Sequence, residues 1–269
     1  MESLPISTAH CRVERDGPVV IVTMNRPEAR NALSTDMLVG LASAWAYVSA
    51  ETGVRAAVLT GAAGTFCAGA DLKAMGRPSE DPEVRARAAQ IADFHWKGLL
   101  RADLPTKPII SAVEGYAVAG GTELLVGTDL RIVAESATLG LFEAKRALFP
   151  MGGSAVRLPR QIPYCHAMDL LLTGRAVTAA EALAMGLVNR VVPDGRALAV
   201  AVELAADVAA SGPLAVQAIL RTYRDTLGLA EPAALAVSDE LGWPVIGSED
   251  AKEGALAFRE KRPASYRGR

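Results

Sequence analysis

Lys107 to Leu125 reads KPIISAVEGYAVAGGTELL. Pro108 to Val113 is a short apolar run that predicts a buried strand. Gly115 to Gly121 follows as a turn of small residues, and Thr122 to Val126 begins a short helix. A strand leading through such a turn into a helix is the building unit of an α/β fold. Ala119, Gly120 and Gly121 place nothing bulky beside the backbone, so a ligand can approach their N–H groups. A helix start also presents N–H donors without intrahelical partners. The turn therefore suits an anion, or an oxygen that becomes anionic during a reaction. Tight helix packing explains a Gly-Gly pair equally well.

Glu123 lies just beyond this turn and is the only charged residue between Glu114 and Asp129. A carboxylate among Val118, Leu124, Leu125 and Val126 is costly unless it is paired or protonated, which makes it a candidate for proton transfer. The plain alternative is a solvent-facing Glu favoured by the helix dipole.

The same alternation extends on both sides. Val19 to Met24 (VVIVTM) predicts a strand closed by Asn25-Arg26-Pro27. Asn31 to about Glu51 spaces Leu33, Met37, Leu41, Trp45 and Val48 as one buried helical stripe. Arg55 to Gly61 predicts a strand, Gly76 to Pro82 a loop, Glu83 to Leu100 a helix, and Leu130 to Ala134 a strand. From Ser154 onward the pattern is helical, apart from a short strand at Val188 to Val192. The order points to an α/β core with a helical C-terminal extension.

A second small-residue turn, Gly61 to Lys73 (GAAGTFCAGADLK), fits neither a Walker loop nor GxGxxG. Its Ala68-Gly69-Ala70 again offers accessible N–H groups, and Asp71 reads locally as a cap. Glu143, beside Lys145 and Arg146, reads locally as part of a solvated face.

Composition narrows the classes. The chain has 269 residues, 51% hydrophobic and 22% charged, with a formal charge of −2. That is a folded-protein balance with no general attraction to polyanions, so nucleic acid is not an expected partner. The longest run without a charge, Ala56 to Ala70, falls short of the roughly 18 apolar residues of a spanning helix. No secretory signal is visible at the N-terminus, so a cytoplasmic, membrane-free protein is expected. Cys11, Cys67 and Cys165, and His10, His95 and His166, show no metal-ligand or disulfide spacing.

LFEAKRALFPMGGSAVRLPRQIP (Leu141 to Pro163) is similar to actinobacterial hydratases of the crotonase (enoyl-CoA hydratase/isomerase) family, and five stretches together resemble that family. They are NRPEARNAL (Asn25 to Leu33), TFCAGADLK (Thr65 to Lys73), KPIISAVEGYAVAGGTELL, LTGRAVTAAEALAMGLVNRVV (Leu172 to Val192) and AFREKRPASY (Ala257 to Tyr266). The resemblance implies an α/β spiral core of repeated ββα units over residues 1–200. It also implies a helical trimerisation region over 201–269, with trimers that can pair into hexamers. It implies an oxyanion hole from the N–H groups of Ala70 and Gly120, and catalytic roles for Glu123 and Glu143. Coenzyme A contacts would come from Glu28, Ala29, Arg30, Ala68, Gly69, Asp71, Leu72, Lys73, Phe258 and Lys261. Met75, Phe142, Pro150 and Met151 would shape the acyl pocket or hold the water. The implied activity is an enoyl-CoA hydratase on an acyl-CoA thioester in fatty acid or related lipid degradation. No metal and no resident cofactor is implied, since coenzyme A belongs to the substrate. An isomerase or acyl-CoA hydrolase of the same fold, or a silent scaffold, remains the alternative. Asn31 to Val54 lacks Lys and Arg, unlike the RNA-binding relatives.

Overall fold

In the computed structural model, which describes residues 1–72 and 76–269, the apolar strands form the centre of one large sheet. β1 (Glu2–Ser3), β2 (Cys11–Asp16) and β3 (Val19–Met24) pair antiparallel. β4 (Ala56–Gly61) then joins β3 in parallel. The chain continues through α1 (Thr35–Ala50) before β4, and through α2 (Pro82–Gln90) and α3 (Phe94–Gly98) after it. β5 (Ile109–Val113) extends the parallel part. β6 (Tyr116–Val118) leads directly into α4 (Gly120–Leu125), and β7 (Leu130–Ala134) is followed by β8 (Thr138–Gly140).

The rest of the chain is mostly helical. It runs α5 (Ser154–Gln161), α6 (Tyr164–Thr173), β9 (Ala176–Thr178), α7 (Ala179–Ala184), β10 (Arg190–Val192) and α8 (Ala197–Ala209). α9 (Pro213–Thr226), α10 (Glu231–Ile246) and α11 (Glu249–Glu260) complete it. The large sheet has the order β1-β2-β3-β4-β5-β7-β10, and the small one β6-β8-β9.

Between β4 and β8 the chain alternates between the sheets. β5 and β7 lie in the large sheet, and the strands after them, β6 and β8, pair in parallel in the small one. The loop after β4 does the same in miniature, because Cys67 bridges Ala117 of β6. Each turn of chain thus contributes one strand to each sheet before a helix returns it. This is the spiral α/β core that the resemblance implied.

Burial on both faces explains the continuous apolar runs. Val20, Val22 and Met24 of β3 face a core that includes Met37, Leu41 and Trp45 of α1. Val19 and Ile21 face the other way, against Ala197, Ala201 and Ala205 of α8. Those alanines recur every fourth residue, so α8 approaches the sheet closely. Residue 200, the boundary that the resemblance implied, lies within this helix.

Several local expectations differ from the structure. α1 begins at Thr35, with Ser34 capping it through its hydroxyl, because Asn31 is left-handed (φ 55°) and Leu33 bridges Ala70. The helix expected over Glu83 to Leu100 breaks into α2 and α3, with Asp93 at φ 55° between them. Tyr116–Val118, read as turn, is a strand. β1, β2, β8 and β9 carried too few apolar residues to stand out as strands.

Candidate active site

The two small-residue turns meet. Leu33 donates its N–H to the Gly69 carbonyl and accepts from Asp71 N–H. This parallel bridge turns the N–H of Ala70 away from Leu33. A Cβ on Gly69 would lie 2.9 Å from Ala119 Cβ and 3.2 Å from Gly120 N. A Cβ on Gly120 would lie 3.4 Å from Ala70 N. Gly69, at φ 94°, is the position where a side chain would press on the opposite turn. Among the described residues neither the Ala70 nor the Gly120 N–H has an acceptor. The pair is therefore free for an external oxygen.

The backbone is held in that shape from both sides. Ala119 is bent to φ 50° and ψ −122°, a conformation that costs an L-residue of order ~1–3 kcal/mol. Its N–H is tied to the Gly140 carbonyl. Fully buried Asn31 accepts from Arg26 N–H and donates to the Ala62 and Thr65 carbonyls. Arg26 in turn forms an ion pair with Asp71. Asp71, read as a local cap, thus clamps the loop that carries Ala70.

Glu123 sits on α4, one turn beyond Gly120, and is 5% exposed. Its Oε1 accepts from Ser154 Oγ at 2.9 Å and from Ser154 N–H at 3.3 Å. Gly152 leaves room for the carboxylate, since a Cβ there would meet Oε2 at 2.8 Å. Glu143 is half-buried, and its Oε2 is buried without a hydrogen-bond partner among the described residues. Desolvation pushes its carboxyl up to about 7, and the charge of Glu123 adds to the rise. The local reading of Glu143 as a solvated side chain is corrected accordingly. The two turns thus supply two open N–H groups, α4 adds Glu123 held by Ser154, and the segment after β8 adds Glu143, whose carboxyl keeps its proton to about 7.

The sequence model of the enoyl-CoA hydratase/isomerase family matches residues 14–269. The chain belongs to that family. Enoyl-CoA hydratase EchA19 of Mycobacterium tuberculosis is 53% identical over 96% of both chains. The 2,3-dehydroadipyl-CoA hydratase of Escherichia coli is 35% identical over 96% of this chain and 98% of its own. The crystal structure of an enoyl-CoA hydratase from Mycobacterium tuberculosis superposes with a TM-score of 0.90 at 40% identity, covering 97% of this chain and all of that one.

The remaining family-motif positions divide into groups. Ala68, Gly69, Ala70 and Asp71 form one edge of the N–H pair, with Leu72 exposed beside them. Glu28 is exposed, Ala29 half-buried, and the Arg30 guanidinium lies 5.8 Å from the Tyr116 ring centre. Phe142 folds back on Gly140, while Pro150 and exposed Met151 lead into Gly152. The Met151 carbonyl accepts from Arg101 at 2.8 Å. Phe258 and Lys261 sit on α11 and its cap, which packs on α10. Lys73 and Met75 lie outside the described residues. Asn31, Arg26 and Ser154 escaped the sequence reading, because nothing local marks a polar side chain as a clamp across the fold.

Proposed function

We propose that the chain hydrates a trans-2-enoyl-CoA to the 3-hydroxyacyl-CoA, with Glu123 as base and Glu143 as acid. The observation that carries this reading is a second carboxyl, Glu143, whose Oε2 is buried without a hydrogen-bond partner among the described residues and which feels Glu123 on the helix that carries Gly120. The substrate's double bond is conjugated to its thioester, so attack at C3 moves negative charge onto the thioester oxygen. The N–H groups of Ala70 and Gly120 receive that oxygen; losing one such donor typically costs ~3–4 kcal/mol. Glu123 takes a proton from the attacking water, and Glu143 delivers its own to C2. Proton uptake by one and release by the other leave the net protonation of the pair unchanged, so transfer between them resets the site.

Coenzyme A enters as part of the substrate, held by the loops of Glu28 to Arg30 and Ala68 to Lys73. Phe258 and Lys261 serve a neighbouring subunit, and Met75, Phe142, Pro150 and Met151 border the acyl group and the water. The helical region 201–269 carries a homotrimer or dimer of trimers. Exposed Ile219 and Tyr223 on α9, and Leu235, Trp243 and Ile246 on α10, support this assembly. Lipid degradation in the cytoplasm is the setting this chemistry suits.

The test is loss of enoyl-thioester absorbance over a ladder of trans-2-enoyl-CoA chain lengths, with the product identified by mass. Turnover that collapses in both Glu123→Gln and Glu143→Gln, with acyl-CoA binding kept, is the expected result. Wild-type turnover in either variant removes that residue from the mechanism. Double-bond migration or free coenzyme A in place of a hydroxyacyl product replaces hydration with isomerisation or hydrolysis.

A further inference from the structure

We infer that Ser154 is a positioning residue for Glu123, holding one carboxylate oxygen so that only the other faces the attacking water. The inference rests on the reading of Glu123 as the base. Ser154 is 0% exposed and is the first residue of α5. Its N–H needs no partner within the helix, because the first turn of any helix leaves its donors free. Its hydroxyl does not cap α5 either; the N-cap is Gly153, at φ 110° and without a side chain. Both donors instead converge on Oε1 of Glu123, the hydroxyl at 2.9 Å and the N–H at 3.3 Å.

Such convergence has a mechanical consequence. The last torsion of a glutamate is broad and nearly two-fold, so an untethered carboxylate rotates freely. Two donors on one oxygen stop that rotation. The other oxygen, Oε2, is then fixed beside Gly152, where no side chain fits. General-base catalysis depends on this alignment, because proton transfer requires the acceptor within hydrogen-bond reach of the water in the reacting pose. Ser154 touches neither water nor thioester in this arrangement; it acts through Glu123.

The decisive experiment compares wild type, Ser154→Ala, Glu123→Gln and the double variant, using a trans-2-enoyl-CoA that the wild type turns over. Ser154→Ala is expected to lower kcat by ~10-fold or more, the usual effect of deleting one hydrogen bond to a charged group. KM should stay within about twofold, because the residue contacts no substrate group. In the Glu123→Gln background the same change should add little, because the carboxylate it aligns is gone. Ser154→Gly removes the same hydroxyl and serves if the alanine variant does not fold. Wild-type kcat in a folded Ser154 variant overturns the inference, as does a loss confined to KM or an equal loss in both backgrounds. Full turnover in Glu123→Gln instead overturns the base assignment itself, so the two failures are distinguishable.

Discussion

Glu143 keeps its proton to about pH 7 because half-burial removes water from its carboxyl and Glu123 opposes a second negative charge nearby. Two outcomes follow with opposite signs. As the proposed acid in hydration it must be protonated, so kcat/KM for the forward reaction should fall as pH rises through about 7. A flat profile across that range would remove the assignment. In stability the native state holds a proton that the unfolded chain loses near ~4.3. Native Glu143 therefore disfavours folding increasingly between that value and about 7, and fully above it. Glu143→Gln should raise Tm at pH 8 relative to wild type and much less at pH 5, as calorimetry can check. Gly120→Pro belongs to the same scale: it deletes one donor N–H and should cut kcat by ~100-fold or more. An active, folded Gly120→Pro protein would take Gly120 out of the oxyanion pair. Glu123 was legible in the sequence because its neighbours are apolar. Glu143 was legible only through the family pattern, since Lys145 and Arg146 disguise it as a surface residue.

The elements that matter most are the irregular ones. Asn31 looks like the start of α1, yet it turns the chain left-handed and ties the segments of Arg26, Ala62 and Thr65 together. The loop that carries Ala70 is thereby attached to the segment between β3 and α1 through side-chain bonds as well as the Leu33 bridge. Asn31→Ala removes the partner of three part-buried backbone groups, at ~1–3 kcal/mol for each that finds no water. A Tm several degrees lower, with kcat reduced in the folded protein, is the expected result. An unchanged Tm would show that the loop holds itself. Strands β3, β4, β5 and β7 were legible because burial on both faces makes them uninterrupted apolar runs. β6, β8 and β9 were not, since each is three residues long and stable only through pairing.

For the whole molecule, the alternation of strands between two sheets brings the turn after β4 against the turn after β6, and with them Ala70 against Gly120. The helices beyond α8 leave Ile219, Tyr223, Trp243 and Ile246 exposed, a surface a lone protomer does not bury. Light scattering at micromolar protein is expected to give the mass of three or six chains. A monomer would leave those side chains without the role proposed for them. Among the described residues no single helix is long and apolar enough to cross a membrane. α8 and α9 pass by length and composition only as a pair, bent by 106°.

The amino-acid order alone determined the α/β class, the helical C-terminal region, the two small-residue turns and the two glutamates of the family motifs. Each of these depends on local composition, on periodicity, or on a motif contiguous in the chain. Only the tertiary structure decided that the two turns touch, that Asn31 and Arg26 clamp one of them, and that Ser154 grips Glu123. Ser154 and Glu123 stand 31 positions apart, and Arg26 and Asp71 stand 45 apart. Hydrogen-bond geometry across such separations leaves no periodic trace in the chain. The proton on Glu143 was decided there as well, because desolvation depends on what the fold packs around a carboxyl and not on its neighbours in the chain.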